Sequence, residues 1–311
     1  MNKLISITIA CFNEEGNVEN IAKAITDLFK NELSNYDYEI IFIDNDSQDR
    51  TRELLRSMCN SNKKIKAIFN AKNFGQFNSP YYCMLQANGD CVIAMACDFQ
   101  DPVEVIPQFV KAWEEGYKIA IGIKEESYEG FILKKLKKMY YNLIDRFSNV
   151  RQIKMFTGFG LYDRKFIEVL KNLDDPTPFI RGIVAELGYR RKEIKFKQGI
   201  RTKGKTSNNF YSLYDAAMLS FTSYTKIGLR LATFIGSITM IISIVIALIY
   251  LIMKLIWWDR FIAGMIPMLV GMLFLGSVQI FFIGILGEYI LTINQRVMKR
   301  PLVIEEERIN F

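Results

Sequence analysis

The sequence predicts an α/β domain followed by a pair of membrane-spanning helices, and three observations carry that prediction. Short apolar runs alternate with helical patterns from Leu4 to Ile123, as in a parallel sheet with helices on both faces. Two acidic stretches, Asp44-Asn-Asp-Ser-Gln-Asp49 and Asp98-Phe-Gln-Asp101, directly follow two of those runs. They therefore emerge at strand ends, where open α/β sheets bind ligands. Residues 231–253 and 261–287 carry no charge, and each run exceeds the roughly 20 residues that cross a bilayer core.

In order, Leu4–Ala10 reads as the first strand, broken by Cys11-Phe12-Asn13-Glu14-Glu15-Gly16. A helical pattern then runs from about Val18 to Leu33. Tyr38–Ile43 is the second strand, and a helix from about Asp49 to Cys59 follows its acidic loop. The third strand, Ile65–Phe69, leads through Asn73-Phe74-Gly75-Gln76 into a helix ending near Ala87. Cys91–Ala94 is the fourth strand, bounded by Asn88-Gly89-Asp90, and it carries the loop with Asp98. A helix from Pro102 to Glu115 and a strand at Lys118–Ile123 complete the alternation.

Phe131–Phe147 is an amphipathic helix, with Ile132, Leu136, Met139 and Leu143 on one stripe and Lys134, Lys135, Lys137 and Lys138 largely opposite. Such a helix packs on a sheet or lies on a membrane. Asp163 is placed to cap a helix reaching about Leu173. Arg190–Lys197 alternates as an edge strand and leads into the basic run Arg201-Thr-Lys-Gly-Lys-Thr206. The expected organisation is a domain over 1–210, a juxtamembrane helix over 211–228, a hairpin over 229–293 and a tail over 294–311.

The 311 residues hold no His, which excludes a His general base, a His-ligated metal and a Ser-His triad. Five Cys, at 11, 59, 83, 91 and 97, form no metal-like spacing and fit a reduced cytosolic domain. Beside two spans, the net charge of +7 points to an anionic lipid surface rather than nucleic acid. The first span begins too far into the chain to be a signal peptide. Arg201, Lys203, Lys205, Lys226 and Arg230 precede the hairpin, and Arg296, Lys299 and Arg300 follow it. By the positive-inside rule the domain and both termini are cytoplasmic, on a multi-pass inner-membrane protein. Lys254 and Arg260 in the connecting loop weaken that bias without reversing it, and Trp257 and Trp258 suit the interfacial belt.

The oxygen ligands of Asp98 and Gln100, with no His or paired Cys nearby, suit Mg²⁺ or Mn²⁺, which take one or two carboxylates plus phosphate oxygens and water. The plainer alternative is that Asp98 and Asp101 cap the helix opened by Pro102. No GxGxxG and no GxxxxGK[ST] is present, which disfavours a Rossmann dinucleotide site and a P-loop.

Six motifs in order, together with the hairpin, resemble family 2 glycosyltransferases of the polyprenyl-phosphate type, which include bactoprenol glucosyltransferases and dolichol-phosphate mannose synthases. Ile9-Ala-Cys-Phe-Asn-Glu-Glu15 stands for the family's P-x-Y-N-E-E, and Asp44-Asn-Asp-Ser-Gln-Asp49 for D-D-G-S-x-D. Asn73-Phe-Gly-Gln76 matches N-F-G-Q, Asp98-Phe-Gln-Asp-Pro102 matches D-L-Q-D-P, and Leu161-Tyr-Asp-Arg164 and Arg201 with Gly204 match the later motifs. The resemblance implies a GT-A fold, a nucleotide-sugar donor, a divalent metal, a polyprenyl-phosphate acceptor and inversion at the anomeric carbon. It places the donor across Ala10, Phe12, Glu14, Ile43, Asp44, Asn45, Cys97, Asp98 and Lys124. It places the metal on Asp98 and Gln100, and the phosphates under Arg201 and Lys205. Relatives are often homo-oligomers, a state no motif here reads out.

Departures from the pattern are Ala10 for Pro, Phe12 for Tyr, Asn45 and Ala96 for Asp, Lys124 for Arg and Ser207 for Lys. Gly158 stands where relatives often carry an acid. A hydroxyl acceptor needs a positioned base, whereas a phosphate monoester is already an anion, so the lack of an acid between Lys154 and Tyr162 leans toward a phosphate acceptor. The rival readings are transfer to a glycan hydroxyl and a catalytically silent scaffold.

Overall fold

The computed structural model describes residues 2–125, 153–199, 218–219, 221–223, 227–256 and 265–311. The expected helix at Phe131–Phe147, the basic run with Arg201 and Lys205, the Trp257-Trp258 pair and most of the juxtamembrane helix lie outside them.

The domain's elements are β1 (Leu4–Cys11), α1 (Val18–Asn31), β2 (Asp37–Asp44), α2 (Thr51–Ser61), β3 (Ile65–Asn70), α3 (Gly75–Gln86) and β4 (Cys91–Ala96), then α4 (Ile106–Glu114), β5 (Ile119–Lys124), β6 (Phe156–Asp163), α5 (Arg164–Leu173), α6 (Ile180–Glu186) and β7 (Arg191–Phe196). Two long helices, α7 (Ile227–Ile256) and α8 (Met265–Val297), and a final strand, β8 (Glu305–Ile309), complete the chain.

The strands form one sheet in the order β7-β5-β6-β4-β1-β2-β3-β8. β1 to β4 pair parallel, and their apolar residues are buried on both faces, as parallel strands require. Val18, Ile21, Ala22, Ile25, Leu28 and Phe29 of α1 are buried, at the spacing of one helical stripe. α1, α2 and α4 cover one face of the sheet, and α3, α5 and α6 cover the other. Each buried Ile of this core contributes about 1.5–3 kcal/mol of transfer free energy.

The sheet differs from the expected parallel one in two places. β6 lies antiparallel between β4 and β5, in a stretch whose two glycines hide its strand pattern. Gly160 is there because a Cβ would stand 2.5 Å from the Ala120 carbonyl oxygen, so only a bare backbone fits between its neighbours. The second difference is β8, which leaves the expected tail to pair antiparallel with β3. Asn310 Nδ2 secures it by donating to the carbonyls of Cys59 (2.7 Å) and Ile65 (2.8 Å). β7 is the opposite edge strand, as its alternation predicts.

Both α7 and α8 are long and apolar enough to cross a membrane. Large side chains such as Phe234 and Ile280 point outward, 68% and 73% exposed, as lipid-facing residues do. Thr222 and Thr292 share a hydrogen bond of 2.9 Å, which joins the helical residues 221–223 to the C-terminal half of α8.

Candidate active site

The ends of β1, β2 and β4 stand level, with Cys11 opposite Asp44 and Ala10 opposite both Ile43 and Ala96. Each is followed by a loop with one non-glycine residue at positive φ: Asn13 (56°), Asp46 (67°) and Phe99 (59°). Asn and Asp tolerate this region, but a Phe held there is strained, and such strain collects at functional edges.

The first two loops are stitched together. Asn13 N donates to Ser47 Oγ (2.8 Å), and Gln48 N donates back to Asn13 Oδ1 (2.8 Å). Glu14 N donates to Thr51 Oγ1 (2.9 Å), and Glu15 N to Asp49 Oδ2 (3.1 Å). Ser47 and Asp49, conspicuous in the acidic motif, thus brace the loop. The Glu14 carboxylate is buried and accepts from Asn17 Nδ2 at 2.5 Å.

Asp44 is fully buried. Its Oδ2 accepts from Ser47 N (3.1 Å) and lies 3.2 Å from Arg52 Nε, while Oδ1 has no hydrogen-bond partner. Burial raises its carboxyl above the usual range, opposed by Ser47 and Arg52. Asn45 is enclosed in a network. Its Oδ1 accepts from Asn70 Nδ2, Phe74 N and Ser79 Oγ, and its Nδ2 donates to Asn73 Oδ1 (2.8 Å). Both ends of the side chain are engaged by the protein, so Asn45 holds the α3 entry against β2. Ile43 is a core residue, buried among Ile41 and Ile68, and a nucleotide contact from its side chain does not fit this position.

Past β4, Asp98 Oδ1 accepts from Gln100 N (3.2 Å). Asp101 Oδ2 accepts from Ala96 N (2.9 Å), which folds the loop back on its strand. Burial pushes the Asp101 carboxyl up to about 6, with the Ala96 amide and Lys124 pulling it down and Asp98 adding to the rise. Gln100 Oε1, its one metal-binding atom, is engaged by Gln198 Nε2 at 2.8 Å. Among the described residues no group of three or more His, Cys, Asp or Glu forms a metal cage. Asp98 does suit a hard divalent ion that completes its shell with phosphate and water, and Gln100 suits one less well.

These loops border a cavity of about 1710 Å³. Ala10, Phe12, Glu14, Asn45, Cys97, Asp98, Gln100 and Lys124 all line it, whereas Ile43 and Asp44 stand behind its wall. At its far end the lining passes to Glu288, Leu291, Thr292 and Gln295 of α8. Three cations on the lining, Lys72, Arg181 and Arg300, are not among the site residues of the sequence reading, which uses Arg300 only for membrane orientation. Lys72 and Arg181 are single charges outside a basic run, and Arg181 carries only the weak signal of the Pro-rich turn before it.

The Glycosyl transferase family 2 description matches residues 6–183. A Synechocystis sp. protein described as an uncharacterized glycosyltransferase is 32% identical over 302 residues, 96% of this chain and 94% of that one. A bactoprenol glucosyl transferase of Shigella phage SfII is 30% identical over 301 residues, 96% of each chain. Among solved structures, a mannosyltransferase from Pyrobaculum calidifontis in complex with GDP-Man and Mn²⁺ aligns with a TM-score of 0.48 at 12% identity, over 71% of this chain and 63% of that one. With its α/β sheet of the GT-A type and a family match across more than half its length, the chain belongs to glycosyl transferase family 2.

Proposed function

We propose that this glycosyltransferase moves a hexose from a UDP-sugar to the phosphate of a polyprenyl lipid, undecaprenyl phosphate being the expected acceptor. The observation that carries the reading is one continuous cavity, lined from Asp98 at the sheet edge to Thr292 and Gln295 on an apolar helix. A soluble donor and a lipid-borne acceptor have to meet at such a boundary. The bactoprenol glucosyl transferase named above, similar along 96% of its length, supports the same choice.

In this reading the nucleotide lies across Phe12, Glu14 and the end of β2, where the fully buried Asp44, its Oδ1 unpartnered, backs the lining residue Asn45. Asp98 would hold Mg²⁺ or Mn²⁺, which supplies positive charge to the leaving diphosphate. Lys124, on the cavity wall, adds a point charge beside the same phosphates, and Arg201 and Lys205 are assigned to the acceptor phosphate. That phosphate attacks the anomeric carbon from the face opposite the diphosphate and inverts it. As a dianion or monoanion it needs no general base, in keeping with a chain without His. The hairpin is taken to span the inner membrane with the domain and both termini cytoplasmic, 1–210 forming the transferase unit.

The test is a product assay on membranes containing the full chain, with polyprenyl phosphate and labelled nucleotide sugars, with Mn²⁺ or EDTA, beside Asp98→Asn. A mild-acid-labile labelled lipid that requires the metal and Asp98 supports the reading. Transfer only to a soluble glycan moves the acceptor to a hydroxyl, and no transfer from folded protein refutes the reading.

A further inference from the structure

Arg52, on the first turn of α2, touches two acids from distant parts of the chain. Its Nε lies 3.2 Å from Oδ2 of Asp44 at the end of β2. Its Nη2 lies 2.6 Å from Oε2 of Glu306 in β8. The same Nη2 donates to the Asn70 carbonyl (3.4 Å), and the guanidinium sits over the Phe69 ring, 5.3 Å from its centroid. The fork is thus clamped between the end of β3 and a strand that arrives only after α8.

The two acids are unequal. Asp44 is fully buried, whereas the Glu306 side chain is 58% exposed. A buried carboxylate depends on its nearest cation far more than an exposed one does. We infer that Arg52 is a positioning residue for Asp44, and that β8, through Glu306, sets the donor affinity of the sheet edge. This rests on the reading that the nucleotide lies over the end of β2, which Asp44 backs from behind the lining residue Asn45. Without Glu306 the guanidinium keeps the Asn70 carbonyl and the Phe69 ring but loses one acid, so its ion pair with Asp44, which has no hydrogen bond from Nε, loosens while Ser47 N still holds Oδ2. Arg56 and Glu307, 2.7 Å apart one helical turn on, hold the strand but reach no residue of the cavity lining.

The experiment is UDP binding by calorimetry to the full chain in nanodiscs, with steady-state kinetics on the same preparations. Arg52→Gln should weaken UDP by about tenfold or more. Glu306→Gln should weaken it by about two- to fivefold, as a half-exposed pair allows, and Glu306→Asp should restore most of that loss. The double variant should bind no worse than Arg52→Gln alone. In kinetics, Glu306→Gln should raise the donor KM with kcat and the acceptor KM unchanged, whereas merely misfolded protein would lower kcat. Glu307→Gln, which loosens the strand without touching Arg52, should leave UDP binding as it is. Loss of UDP binding in Asp44→Asn with wild-type binding in Glu306→Gln overturns the coupling and leaves the donor site standing. Wild-type binding in Asp44→Asn overturns both. The exposed position of Glu306 keeps the test valid even where Arg52→Gln does not fold.

Discussion

Asn45 Nδ2 donates a hydrogen bond to Asn73 Oδ1 at 2.8 Å, and that same Oδ1 also accepts from Gly75 N at 2.9 Å. This pair accounts for a carboxamide at position 45, where the D-D-G-S-x-D pattern has a carboxylate. An Asp at 45 would keep the three hydrogen bonds that Asn45 Oδ1 accepts but would turn its second oxygen toward Asn73 Oδ1. Flipping the Asn73 amide to compensate would forfeit the bond from Gly75.

Asn45→Asp should therefore destabilise the protein by about 0.5–1.5 kcal/mol, the net worth of the hydrogen bond lost between the buried Asn45 and the exposed Asn73. Chemical unfolding of the full chain in detergent measures it. Unchanged stability would mean that the network rearranges without loss.

The partners of Gln100 lead to a separation of roles in the acidic loop. Its Oε1 is engaged by Gln198, while Asp98 lines the cavity. Asp98→Asn should cut kcat by about a hundredfold or more, on the scale of losing a group that stabilises developing charge. Gln100→Ala should cost only several-fold and leave the Mn²⁺ concentration for half-maximal rate unchanged. A large shift in that concentration for Gln100→Ala would return Gln100 to the metal.

Much of this edge was legible because its chemistry is written in local residues. β1 to β4 are runs buried on both faces, and Asp163 caps α5 by accepting from Lys165 N at 3.0 Å, as its position before the helix suggests. Residues whose role depends on distant pairing were not legible. Ser47 and Asp49 belong to the acidic motif, yet they brace the loop after β1. Ile43 sits one residue before Asp44 but alternates into the core. Glu306 belongs to an acidic, exposed stretch that nothing local marks as a strand, and only its pairing beside β3 reveals it. β6 was hidden for the complementary reason, since its glycines answer to a neighbour's backbone rather than to strand propensity.

Asp101 gives a pH dependence whose sign follows from its environment. Burial moves its carboxyl from 3.8 to about 6, so between those values the folded protein binds a proton that the unfolded chain does not. The slope of unfolding free energy with pH follows the protons bound unfolded minus those bound folded, and it is negative here. This group therefore favours the folded state below about pH 4, and that contribution is lost as pH rises through about 6. Asp101→Asn removes the titration. The stability of the variant relative to wild type should rise between pH 4 and 7, by at most about 3 kcal/mol. Unfolding midpoints of both proteins across that range measure the difference, and a flat difference would place the Asp101 proton elsewhere.

Gly199 tests whether the acidic loop must stay closed against the segment after β7. Its N–H donates to the Gln100 carbonyl at 3.2 Å, and a Cβ on it would overlap the Phe99 carbonyl oxygen. That neighbour is backbone, so it cannot turn aside as a side chain would. In Gly199→Ala the two segments must part, which breaks this bond and strains the one from Gln198 to Gln100. The parting occurs at the cavity rim, away from the apolar core, so the unfolding midpoint should fall by no more than a few degrees, as for about 1 kcal/mol. Phe99, held at positive φ, should relax once its carbonyl is displaced, and Asp98 would move with it. The expected result is a loss of kcat of about tenfold or more, with thermal stability near wild type and the added Mn²⁺ requirement increased. A variant with wild-type kcat would show that the loop works equally well when open, and that Gly199 serves packing alone.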